Sequence, residues 1–177
     1  SYYYEQLPEW LIKFQQKKPA TSYFKGAWKG RGFGYPMDSL LASKGPASVK
    51  STPQGNTYLK DLAIELIKSE ELGKDKITDV LTLSFSSTDY IGHQFGPHAQ
   101  ELIDTYIKLD KDIAEILQHI NSTIGQENAL IFLTADHGVV SVPNELKARK
   151  IPAGYFNASN LTNELNNYLN KRYFKLS

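Results

Sequence analysis

Cysteine is absent from the 177 residues. That excludes a disulfide scaffold and any thiolate metal centre, while leaving the redox compartment open. Long hydrophobic runs are missing as well. The longest, such as 129–133 (ALIFL), reach about five residues, far short of the roughly 18–20 that a membrane-spanning helix needs. An excess of one charge is lacking too: 20 Lys+Arg face 19 Asp+Glu, for a net charge of +1. A dedicated nucleic-acid binder would carry a basic excess or stripe. The opening Ser1-Tyr2-Tyr3-Tyr4-Glu5 has no basic start, apolar stretch or small-residue cleavage site, so it does not read as a signal peptide. An initiator Met is also missing, which reads as a processed protein or an excised piece of a longer one. What remains is ordinary for a globular domain or part of one, with 41% hydrophobic and 22% charged residues, and it argues against a disordered or fibrous chain.

Residues 1–56 read as loop-rich. A short helix can start at Leu7-Pro8-Glu9-Trp10, with Pro tolerated in a first turn, but glycines and prolines then punctuate a long stretch. Its aromatics (Tyr23, Phe24, Trp28, Phe33, Tyr35) imply that it packs on something. The glycines in 30–34 (GRGFG) could cradle an anion, but without a preceding strand they read far more readily as plain loop. From residue 57 the pattern is regular. Leu59, Leu62, Ala63, Leu66 and Ile67 fall at helical spacing, ending near Gly73, and 79–86 (DVLTLSFS) reads as a buried strand. Leu102, Tyr106, Leu109, Ile113, Ile116, Leu117 and Ile120 trace one face of a long helix. A second buried strand follows at 129–134 (ALIFLT), and a last helix over 160–173. Helix, strand, helix, strand with short connections predicts a parallel sheet covered by helices.

Two polar clusters follow directly on the two expected strands. The first is 86–97 (SSTDYIGHQFGP) and the second 134–138 (TADHG). In open α/β sheets, ligands bind beyond the carboxyl ends of strands. Each cluster offers an Asp oxygen and a His nitrogen, Asp89 with His93 and Asp136 with His137, the donor types that suit Zn²⁺. Two such pairs could hold two metals about 3.5–4 Å apart, as in hydrolytic two-metal sites. Each pair also has a plain reading. Asp-x-x-x-His on a helix merely puts two side chains on one face, and here Gly92 and Pro97 argue for a turn; Asp-His-Gly after a strand is commonly a turn too. It is the two pairs together, at one sheet edge, that point to metal. His98, at the start of the long helix, and His119, near its end where a cation favours the dipole, read as solvated.

Ser-Ser-Thr-Asp-x-x-Gly-His-x-x-Gly-Pro, followed about forty residues later by Thr-Ala-Asp-His-Gly, resembles the alkaline phosphatase superfamily. The resemblance is to the bacterial branch related to type I phosphodiesterases and nucleotide pyrophosphatases, which includes Thr-nucleophile alkaline phosphatases. Leu7-Pro8-Glu9-Trp10 with Phe14, Ser51-Thr52-Pro53-Gln54-Gly55-Asn56, and the helix through Asp104 and Asp110 look like that branch as well. The resemblance implies a three-layer α/β/α sandwich with a mostly parallel sheet, incomplete at both ends. Residues 1–56 would be an insertion or cap and 57–177 the core segment. It implies that Asp89 and His93 ligate one Zn²⁺ and Asp136 and His137 the other, two ions per complete site. A Thr or Ser hydroxyl attacks phosphorus in that family, and water then hydrolyses the phosphoenzyme.

That nucleophile, an early Asp and a late His have no counterpart here. Thr52 alone has a tempting context, but no strand precedes it, so the nucleophile is expected to lie outside this chain. The expectation is an internal segment of a zinc-dependent phosphate monoester hydrolase, itself inactive or nearly so. Its partner would be a small phosphate ester, with no specific nucleic acid and no membrane span, and the resemblance suggests a periplasmic or secreted home. Phosphodiester or pyrophosphate cleavage is the alternative, with a sulfatase or phosphate mutase more distant. The rival of another class is a non-catalytic metal-binding or interaction module using 23–36 as its contact surface.

Overall fold

The structure, a computed structural model, describes residues 5–174. The Ser1-Tyr2-Tyr3-Tyr4 stretch read above lies outside the described residues. Within them the expected loop-rich N-terminal part is well structured. Helix α1 (Glu9–Lys17) starts after Pro8 and carries a Glu9–Lys13 pair one turn apart at 2.7 Å. Two short strands, β1 (Ala27–Gly30) and β2 (Phe33–Pro36), form an antiparallel hairpin in which Trp28 pairs with Tyr35. The 30–34 glycines therefore serve the hairpin: Gly32 turns it at φ +84°, where a side chain is disfavoured, and the Phe33 ring lies across Gly30. Helix α2 (Met37–Lys44) follows and stops at Gly45, φ +72°.

Helix α3 (Pro53–Ser69) begins four residues earlier than the apolar periodicity predicts, because Pro53 sits at the first helical position, where its missing N–H costs nothing. Helix α4 (Ser87–Phe95) and the long α5 (Gln100–Thr123) complete the framework. The core gathers Phe24, Trp28, Met37, Val49, Ile91 and Leu102, with Tyr35 and Phe95 packed against them. Four of those six residues come from the segment expected to be loop. The chain divides into two compact units, Ser1–Val140 and Ser141–Ser177. The second unit holds α6 (Pro143–Ala148) and α7 (Ala158–Leu169), the latter capped by the Asn157 side chain accepting from the Asn160 N–H at 3.0 Å.

Two expectations need correction. Segments 79–86 and 129–134 form no strand ladder, and the one sheet among the described residues is the antiparallel hairpin. Both lack regular secondary structure and a neighbouring strand, since a ladder needs a second backbone to exchange N–H and C=O groups. Leu130, Phe132 and Leu133 are consequently more than four-fifths exposed. The second correction concerns α5, whose buried line is Leu102, Thr105, Asp112 and Ile116, while Tyr106 and Leu117 face outward.

The α5 face is mixed because it meets a polar seam on α3. Asp112 accepts from the Thr57 hydroxyl at 2.9 Å, and burial pushes its carboxyl pKa up. Lys60 lies 2.8 Å from Asp61 and 2.7 Å from Glu115. Burial would lower the Lys60 pKa, but these two carboxylates outweigh it and hold it above its usual value.

His119 also departs from the solvated reading. It borders a hollow of about 180 Å³ with Ile67, Lys68 and Leu72, and its Nε2 is buried with no hydrogen-bond partner among the described residues. Burial, and then Lys68, hold its pKa below the usual imidazole value. An unfolded His titrates near 6.5. Below about that pH the unfolded chain takes up a proton that the folded chain refuses, so His119 makes stability fall as pH drops toward its folded pKa. Urea midpoints at about pH 7.5 and 5.5 check this. The His119→Leu variant should lose less stability across the interval than the parent, and equal losses would contradict the assignment.

Candidate metal centre

Both candidate pairs lie in the first unit. Asp89 and His93 stand one turn apart on α4, so the turn expected from Gly92 and Pro97 is a helix. Gly92 is tolerated inside it, buried on the inner face, and Gly96 ends it at φ +98°. Ser87, Ile91 and Gly92 face the core. That packing turns Asp89 and His93 outward, with His93 Nε2 3.3 Å from Asp89 Oδ1. Asp136 and His137 follow the irregular segment 129–134 and are exposed. His137 Nε2 lies 3.6 Å from the same Asp89 Oδ1 and 3.7 Å from Asp136 Oδ2. Asp89 and His137, 48 positions apart in sequence, thus meet at one carboxylate.

The orientation of His137 is set by the backbone. Its Nδ1 lies 2.7 Å from the Gly138 carbonyl oxygen. A carbonyl only accepts, so Nδ1 carries the proton and the Nε2 of the neutral ring presents a lone pair to the two carboxylates. This is the arrangement in which a second partner fixes the tautomer of a metal-ligating imidazole. The Gly138 carbonyl, then Asp136 and Asp89, raise the His137 pKa, so the surroundings favour positive charge between these groups. Among the described residues no three His, Asp or Glu side chains converge to hold a metal ion; the donors come as two pairs. Their chemistry, carboxylate oxygen with imidazole nitrogen, fits Zn²⁺.

The other sequence candidates fall elsewhere. Thr52 is 1% exposed and its hydroxyl donates to the Val49 carbonyl at 2.7 Å. His98 is exposed at the turn before α5. What sequence reasoning missed lies behind α4: Asn56 Nδ2 donates to Thr88 Oγ1 at 3.2 Å, and Gly55 abuts Ser87. The Ser51–Asn56 run resembled the family without revealing what it touched.

Compared with known proteins, residues 7–165 match the family described as type I phosphodiesterase / nucleotide pyrophosphatase. The chain is similar to a Myroides odoratus protein named calcium-transporting ATPase, with 35% identity over 98% of this chain and 37% of that protein. It is similar to the alkaline phosphatase PhoV of Synechococcus elongatus, with 36% identity over 87% of this chain and 32% of the relative. Its fold is similar to the crystal structure of wild-type alkaline phosphatase PafA, with a TM-score of 0.76 and 32% identity over 97% of this chain and 38% of that one. The chain therefore spans about a third of the length of the proteins it matches. The architecture is alkaline-phosphatase-like α/β.

Proposed function

We propose, from the fact that this chain belongs to the type I phosphodiesterase / nucleotide pyrophosphatase family within the alkaline phosphatase superfamily, that it forms the metal-site segment of a phosphate monoester hydrolase. The observation that carries this reading is the meeting of both imidazoles at Asp89 Oδ1, 3.3 Å from His93 and 3.6 Å from His137. In this reading Asp89 and His93 hold one Zn²⁺, and Asp136 and His137 a second, each ion completing its shell with further ligands. Bound zinc supplies positive charge that activates a hydroxyl or water and neutralises the transferred phosphoryl group.

The chain's own part is positional. Helix α4 presents Asp89 and His93 on an open face that a small phosphate ester can reach, and the Gly138 carbonyl aims His137 at the same place. The attacking Thr or Ser comes from outside these residues, since the Thr52 hydroxyl is buried and committed to Val49. Segments 79–86 and 129–134 become strands of a mostly parallel sheet, a reading supported by their apolar composition and their bare faces. No described helix is long and apolar enough to cross a membrane, and the resemblance favours action in the periplasm or outside the cell. A second reading, cleavage of phosphodiesters or nucleotide pyrophosphates, is favoured by the description of the matching family. The ratio of turnover on p-nitrophenyl phosphate to that on its bis-ester decides between them.

The test compares zinc content and p-nitrophenyl phosphate turnover for the full-length gene product and for the 177-residue chain. Zinc and turnover are expected in the former, both reduced by Asp136→Ala, with little or no turnover by the latter. Turnover by the purified short chain that disappears with Asp136→Ala would overturn the placement of the nucleophile. A full-length product that binds no zinc would overturn the site itself.

A further inference from the structure

The two exposed donors of α4 owe their position to what packs behind them. The helix has nine residues, no side-chain hydrogen bond caps its N-terminus, and the segment leading into it forms no ladder. Three contacts from the region around the first turn of α3 reach its opening residues. Gly55 is pressed so close that a Cβ there would stand 2.3 Å from Ser87 Oγ, 2.8 Å from the Val49 carbonyl oxygen and 3.0 Å from Lys50 Cα. Two of those three atoms are backbone and cannot swing aside. Asn56, 2% exposed, donates to Thr88 Oγ1. Lys50 Nζ sits 4.8 Å from the centre of the Tyr90 ring. Ser87, Thr88 and Tyr90 bracket Asp89. The neighbouring Thr57 is anchored to Asp112 on α5, so the turn that grips α4 is itself held from the other side.

We propose that Gly55 and Asn56 are positioning residues for the metal centre: they seat the first turn of α4 and thereby set where Asp89 and His93 stand relative to His137. The inference rests on Asp89 and His93 being zinc ligands. Gly55 fixes how near α4 lies to the 46–51 turn, and Asn56 fixes its rotation through Thr88. Asp89 and His93 ride together on α4, so a shift of about 1 Å in that helix leaves their 3.3 Å approach intact and spoils the 3.6 Å approach of Asp89 Oδ1 to His137. Residues that orient metal ligands from behind typically change metal affinity by about 10- to 100-fold when removed.

The experiment measures zinc affinity, by competition with a chromophoric chelator, and the melting midpoint of the full-length gene product and its variants. Asn56→Ala and Gly55→Ala are compared with Thr105→Val, which removes a fully buried hydroxyl bonded only within α5 and controls for general loss of stability. Asp89→Ala tests the ligand assignment. The expected result is a fall of about 10- to 100-fold in zinc affinity for Asn56→Ala and Gly55→Ala, with Thr105→Val leaving affinity unchanged despite a lower midpoint. Thr88→Val should match Asn56→Ala, and the double variant should be no worse than either. Should Gly55→Ala fail to fold, the Asn56 and Thr88 variants carry the test. If Asp89→Ala loses zinc while Asn56→Ala behaves like Thr105→Val, the positioning role is overturned and the metal site stands. If Asp89→Ala keeps its zinc, the ligand assignment fails and the positioning role falls with it.

Discussion

Asp89→Ala in the full-length gene product is expected to lower phosphate monoester turnover by about a thousandfold or more, roughly 4 kcal/mol of transition-state stabilisation, and to do more damage than Asp136→Ala. The ranking comes from geometry. Asp89 Oδ1 faces both His93 and His137, whereas Asp136 faces His137 alone and is 90% exposed. Removing Asp136 leaves His137 opposite a carboxylate. Removing Asp89 leaves both imidazoles without their shared anion, so zinc stoichiometry should fall for the whole centre. Asp89→Asn keeps the shape and removes the charge, and it should resemble Asp89→Ala in zinc content if electrostatics rather than packing dominates. Metal analysis beside steady-state kinetics reads both quantities. An Asp136→Ala variant more impaired than Asp89→Ala would overturn this ranking and make Asp136 the more important donor.

Trp28→Ala is expected to cost about 3–5 kcal/mol of folding stability, a large share of the 5–15 kcal/mol that holds a typical domain together. Trp28 is 3% exposed and its ring meets three others, with centroids 5.5 Å from Phe33, 5.4 Å from Tyr35 and 6.0 Å from Phe95. Its indole N–H donates to Asp104 Oδ2 at 2.7 Å, tying the hairpin to α5. The neighbouring Tyr35 makes a parallel tie: its hydroxyl donates to Glu101 at 2.7 Å, and burial together with that carboxylate pushes its pKa up to about 12. It therefore stays a donor throughout the physiological range. Trp28→Phe separates the two contributions of the indole, keeping most of the ring packing and losing the hydrogen bond to a charged group, worth about 1.5–3 kcal/mol. Urea denaturation of both variants measures this. A Trp28→Ala loss below about 1 kcal/mol would mean that the hairpin is not part of the cooperative core. Because Phe95 closes α4, the same substitution should also loosen the helix that carries Asp89 and His93.

The donor types of the candidate site were legible in the sequence. The two Asp/His pairs, the helices through Leu66 and Ile116, and the absence of a thiolate site follow from residue type and local spacing, which need no partner to be read. It did not reveal that Asp89 and His93 share a helix, because Gly92 is a helix breaker by intrinsic propensity and is retained only where tertiary packing buries it. It marked 79–86 and 129–134 as strands from composition, yet strand formation is decided by a second backbone, and among the described residues none lies alongside. The tertiary structure alone decided that residues 5–56 supply four of the six residues of the core cluster, that α5 buries Thr105 and Asp112 in place of Tyr106 and Leu117, and that Gly55 and Asn56 back the candidate metal centre. Each of these depends on which residues from distant parts of the chain come within 3–4 Å of one another, and local pattern carries no record of that distance.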